Sequence, residues 1–119
     1  MRVLIVDDNV EFLATAQRLL EQEGLVIVGL ATTGAEALQL AKEHDPDVIL
    51  VDVDLGGESG FDVVERLSAT PELGSSMVLV SAHQREDLLD LLGTSKAIGF
   101  LAKSELTAQT IIELLNDPK

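Results

Sequence analysis

Residues 46–54 read PDVILVDVD. Pro46 disfavours helix at the residue before it, and the apolar run Val48–Val51, rich in β-branched side chains, passes without alternation into Asp52. A strand that is apolar on both faces belongs inside a parallel sheet with helices on each side. Working outward, the same kind of run recurs at Val3–Val6, Val26–Ala31, Val78–Ser81 and Ile98–Leu101. Stretches of helical periodicity separate and follow these runs, so five strands alternate with five helices in an α/β chain.

The first helix carries Phe12, Leu13, Ala16, Leu19 and Leu20 on one stripe and ends at Gly24. Thr33-Gly-Ala-Glu36 opens the second as a capping box, with Ala37, Leu38 and Ala41 as its apolar stripe, and the helix ends before Asp45-Pro46. A third runs from about Gly60 through Val63, Val64 and Leu67 and stops near Pro71; a fourth spans Arg85 to Leu92 and stops at Gly93. The last is expected over Glu105 to Leu115, capped by Ser104. Neither a linker nor a repeat is visible, so residues 1–119 are expected to form a single domain.

The 119 residues contain no cysteine, which removes disulfides, a thiol nucleophile and thiolate metal sites. Val3–Val6 is far too short for a signal-peptide core or a membrane span, and a cytoplasmic protein is expected. Eight Lys and Arg against 21 Asp and Glu give a formal charge of −13, a field that repels nucleic-acid phosphates and anionic lipid. Without Tyr or Trp there is no aromatic platform for bases, so neither direct nucleic-acid binding nor membrane association is expected. Most of the carboxylates read as a solvated face.

The acidic residues at strand ends are different. Open α/β sheets bind ligands outside the carboxyl ends of their strands. There the sequence places Asp7 and Asp8 after the first strand, Asp52 after the third, Ser81 at the end of the fourth and Lys103 past the fifth. Any one strand-end Asp is most often a helix cap or a turn residue. Three together repel, and shed charge by taking a proton or a hard divalent cation such as Mg²⁺. Beside a lysine and a hydroxyl, such a cluster suits phosphoryl transfer, with one carboxylate attacking and the cations neutralising the transferred oxygens.

VLIVDDN at 3–9, PDVILVD at 46–52, VLVSAH at 78–83 and GFLAKS at 99–104 closely resemble the receiver domain of two-component response regulators, over essentially the whole chain. The resemblance implies a flavodoxin-like, doubly wound (βα)5 fold with strand order 2-1-3-4-5. It implies that Asp52 accepts a phosphoryl group from a histidine kinase or histidine phosphotransfer protein. Mg²⁺, or Mn²⁺, is then held by Asp7, Asp8, Asp52 and the backbone carbonyl of Asp54. Ser81 and Lys103 become phosphate contacts, and Phe100 a rotamer switch that follows Ser81. The face of the fourth helix, fifth strand and fifth helix would be read by an effector protein or a second copy, with transcription control as one output. Asp54 and His83 occupy the positions expected to set the lifetime of the phosphorylated state. Two positions depart from the pattern: Gly56-Gly57 replaces the usual Pro-Gly, and Ser104 follows Lys103 where proline is usual. A non-proline cis bond costs about 3 kcal/mol, so the usual cis arrangement does not carry over automatically, and the sequence leaves the isomer of the Lys103–Ser104 peptide open.

Asp52-Val-Asp54-Leu55 also resembles the nucleophile motif of haloacid-dehalogenase-type phosphatases, with Asp54 as acid/base, but that motif normally follows a first strand in a larger chain. A nucleotide- or flavin-binding module is disfavoured because the first strand is followed by an aspartate doublet and not by a glycine-rich phosphate cradle. A docking module independent of phosphorylation would leave the filled acidic and basic positions unused.

Overall fold

The computed structural model describes residues 1–82 and 96–116. The elements in chain order are β1 (Arg2–Val6), α1 (Val10–Gln22), β2 (Val26–Ala31), α2 (Gly34–His44), β3 (Val48–Asp52), α3 (Gly60–Ser68), β4 (Ser76–Ser81) and β5 (Gly99–Ala102). A 3-10 turn (Lys103–Glu105) and a C-terminal helix (Ala108–Leu115) follow. All pairings between these strands are parallel and the strand order is β2-β1-β3-β4-β5, the doubly wound 2-1-3-4-5 sheet expected from the resemblance. The fourth expected helix, Arg85 to Leu92, lies outside the described residues.

Because each strand is apolar on both faces, successive residues feed two separate cores. Val3 and Ile5 of β1, Val48 and Leu50 of β3, and Val78 and Val80 of β4 pack with Leu13, Ala16 and Leu20 of α1 and Ile111 of the C-terminal helix. The alternate residues, including Leu4, Ile49, Val51 and Leu79, pack with Ala37 and Ala41 of α2 and Val63, Val64 and Leu67 of α3. Burial on both sides explains the absence of polar alternation in these strands.

The local stops follow the expected chemistry. Thr33 Oγ1 accepts the Glu36 N–H at 3.1 Å, while the Glu36 carboxylate takes the N–H of Thr32 at 2.8 Å, one residue outside a strict capping box. Asp45, in the left-handed region at φ 46°, ends α2. The final helix departs from expectation. It starts at Ala108, and its cap is Thr107, whose Oγ1 accepts the Thr110 N–H at 3.0 Å. Ser104 lies inside the 3-10 turn, which forms because Glu105 reaches back to the Ala102 N–H at 3.3 Å. Buried Leu106 then separates that turn from the helix. No cis peptide occurs among the described residues, so Lys103–Ser104 is trans.

Candidate functional site

The carboxyl ends of β1, β3, β4 and β5 open on a cleft of about 240 Å³. Asp8, Asp52, Asp54, Ser81 and Lys103 line it, with Gly56 at its edge. Asp52 is the last residue of β3 and Ser81 the last of β4; both are buried. Register places Asp52 opposite Val80, and Ser81 opposite Ala102 just before Lys103. Five residues from four separate segments of the chain therefore meet through strand alignment.

Asp7 is buried beside the cleft. Its Oδ1 accepts the Asn9 N–H at 2.9 Å, and its Oδ2 pairs with the Lys103 ammonium, 2.8 Å from Nζ. The same ammonium is 3.6 Å from Asp52 Oδ2 and sits 4.3 Å from the centroid of the Phe12 ring. Lys103 is thus held between two carboxylates and an aromatic face. Partial burial opposes its charge, but contact with Asp7 and the charge of Asp52 outweigh that and raise its pKa.

Burial, then the charge of Asp7, pushes the Asp52 carboxyl up to about 6, and Lys103 and the Asp54 N–H offset this only in part. A cluster with that much residual repulsion is suited to a cation. One carboxylate oxygen from each of Asp7, Asp8 and Asp52 lies within 4.8 Å of the others. Gly56, at φ +79°, brings the loop so close that an added Cβ would lie 3.1 Å from Asp8 Oδ2. Hard oxygen donors in this grouping fit Mg²⁺ or Mn²⁺.

Asp54 is exposed, and its Oδ1 accepts the Gly56 N–H at 3.1 Å, folding the side chain onto its own loop. Phe100 is buried in the α2/α3 core, and register pairs it with Leu79. His83 lies outside the described residues. Three contributors escaped the sequence reading. Asn9 caps α1 by accepting the N–H groups of Glu11 and Phe12, a role that an Asn just before a helical stripe could have signalled. Phe12 looked like plain core, and Glu58, which accepts the Gly34 N–H of α2 and pairs with Arg66 of α3, was one carboxylate among many on a solvated face; Lys103 and Gly34, which give the two their places, are remote in sequence.

Residues 3–116 match the family described as the response regulator receiver domain. The transcriptional regulatory protein PdtaR of Mycobacterium tuberculosis is 33% identical over 102 residues, covering 86% of this chain and 49% of that protein. The signal receiver domain of NarL from Mycobacterium tuberculosis superposes with a TM-score of 0.80 at 32% identity, covering 98% of this chain and 97% of that one. A response regulator from Burkholderia pseudomallei, solved with a phosphorylated aspartic acid, a calcium ion and citrate, gives a TM-score of 0.79 at 27% identity, covering 97% of this chain and 66% of that one. The chain spans about half the length of full-length relatives such as PdtaR and GacA.

Proposed function

The chain belongs to the receiver-domain family of response regulators, and on that premise we propose that Asp52 is the phosphoryl acceptor of a two-component phosphorelay, within one receiver unit over residues 1–119. The observation that carries this reading is the buried Asp52 carboxylate at the floor of an open cleft, between the acidic pair Asp7–Asp8 and the Lys103 ammonium. A carboxylate Oδ of Asp52 attacks the phosphorus of a phosphohistidine on a histidine kinase or histidine phosphotransfer protein. The phosphorus–nitrogen bond breaks, and the departing imidazole nitrogen keeps the electron pair and takes up a proton. Lys103 turns from Asp52 toward the transferred oxygens, and the buried Ser81 hydroxyl donates to them. Asp8, Asp52, Asp7 and the Asp54 carbonyl are the groups that would hold Mg²⁺ or Mn²⁺, which when bound supplies positive charge against the phosphoryl oxygens. The Burkholderia relative, with its phosphorylated aspartic acid and calcium ion, supports this assignment by analogy.

Movement of Ser81 toward the phosphoryl group frees space beside Phe100, and the face that includes β5 and the C-terminal helix passes the change to a partner or a second copy. Asp54, exposed at the cleft, sets the lifetime of the acyl phosphate together with His83. A cytoplasmic location suits the reading, and no helix among the described residues is long and apolar enough to cross a membrane.

Intact mass after incubation with acetyl phosphate, with and without Mg²⁺, tests the assignment. A single phosphate added to wild type, only with metal, and absent from Asp52→Asn is the expected result. No addition to wild type under any condition would leave a docking module, and continuous release of phosphate from many donors would instead mark a phosphatase.

A further inference from the structure

The loop from Asp54 to Ser59 carries two adjacent glycines, Gly56 and Gly57, where the conformational cost of ordering is greatest. Yet the loop is folded back on itself. Asp54 and Ser59 form an isolated antiparallel bridge, and the Leu55 N–H donates to the Glu58 carbonyl at 3.0 Å. Buried Leu55 seats the start of the loop in the core, but those bonds, internal to the loop, do not fix the stretch beyond the glycines against the rest of the domain. The side chain of Glu58 does. Its Oε1 accepts the N–H of Gly34, the first residue of α2, at 2.7 Å, and its Oε2 pairs with Arg66 Nη2 of α3 at 2.7 Å. The acceptor is a carboxylate at a helix N-terminus, where the exposed N–H groups and the helix dipole favour negative charge.

Position 34 is built around this contact. A Cβ there would stand 2.7 Å from Arg66 Nη2, 2.9 Å from Glu58 Oε2 and 2.9 Å from Val63 Cγ2. The glycine therefore leaves room for the carboxylate and guanidinium to close over the helix end, in a position whose backbone φ does not itself call for glycine. An ion pair this exposed contributes little stability as a surface pair. What it does provide is geometric: one side chain joins the loop to two helices that flank it.

We infer that Glu58, clamped between the Gly34 N–H and Arg66, is a positioning residue that fixes the Asp54–Ser59 loop and thereby the Asp54 carbonyl offered to the divalent cation. The inference rests on the proposed metal site, and it assigns to this side chain the stiffening that the Gly56-Gly57 sequence lacks.

Two variants change charge in opposite directions. Glu58→Gln removes a negative charge near the cation, and Arg66→Met removes a positive one. If only long-range electrostatics mattered, Mg²⁺ binding would weaken in the first and tighten in the second. If the clamp positions the loop, it weakens in both. The Mg²⁺ concentration giving half-maximal phosphate addition from acetyl phosphate is expected to rise about three- to tenfold in each, with the rate at saturating Mg²⁺ close to wild type. Amide hydrogen exchange at Leu55–Ser59, measured without metal, is expected to accelerate in both variants while exchange in β1 and β3 stays unchanged, which also shows that they fold. Opposite shifts in the Mg²⁺ midpoint, or wild-type exchange across the loop, would overturn the inference. Failure of wild type to take up phosphate would count against the Asp52 assignment alone, because the exchange measurement stands without it.

Discussion

At Asp52 the cost of function is written into an ionisation equilibrium. Burial and the neighbouring Asp7 raise its carboxyl from 3.8 to about 6. Below 3.8 the folded and unfolded chains both carry the proton; between 3.8 and about 6 only the folded chain keeps it, and above that the charge must be held in the fold. Stability from this group is therefore fully present at low pH and is lost as pH rises through about 6. Asp52→Asn should raise the melting temperature at pH 7.5 in EDTA, by an amount equivalent to about 1–3 kcal/mol, and leave it nearly unchanged at pH 4. Equal gains at both pH values would show that repulsion is not the cause. Lys103 plays the opposite part. Lys103→Met leaves the buried Asp7 without its counter-charge and is expected to cost about 1–3 kcal/mol in urea unfolding at pH 7.5. A variant as stable as wild type would show that the fold does not depend on this pairing.

The elements that deliver these side chains end on tight contacts. Gly60, the first residue of α3, donates its N–H to the Val53 carbonyl at 2.8 Å, and a Cβ at this glycine would overlap the Asp52 carbonyl. Because both partners are backbone, neither can give without moving the end of β3. Gly60→Ala is expected to cost about 2–3 kcal/mol and to slow phosphate addition through displacement of Asp52. Differential scanning calorimetry with the acetyl phosphate assay checks both, and an unperturbed variant would show that the turn can open. Strands and helices were largely legible in the chain, since unbroken β-branched runs and capping residues act locally. Ser104 shows where that legibility ends. The sequence points to Ser104 as the cap, whereas Thr107 takes that place because Leu106 is buried and Glu23 accepts the Ala108 N–H at 2.7 Å from 85 residues away. Thr107→Ala should lower stability by about 1 kcal/mol, whereas Ser104→Ala should change little.

Over the whole molecule, a charge of −13 makes the fold responsive to cations of two kinds. Monovalent salt screens general self-repulsion, and a divalent ion bound only by the native cluster stabilises by mass action, by about 2.7 kcal/mol at a hundredfold excess over its dissociation constant. Mg²⁺ is therefore expected to raise the melting temperature of wild type well beyond NaCl of equal ionic strength, and Asp8→Ala should reduce the difference. Identical responses to the two salts would remove the metal site. The α/β class, the five strands and the residue types at their carboxyl ends were all readable from PDVILVD and its counterparts, because burial on both faces leaves an unmistakable apolar run. Strand order was not readable from periodicity. Any two buried parallel strands satisfy each other's backbone groups, so their neighbours are chosen by crossovers and by the faces that α1, α2, α3 and the C-terminal helix cover. That choice brings Lys103 to 2.8 Å from Asp7 and 3.6 Å from Asp52, places Phe12 beneath the ammonium and joins Glu58 to Gly34 and Arg66. The residues capable of the chemistry are local facts of the chain; their convergence depends on side chains far apart in sequence packing against one sheet.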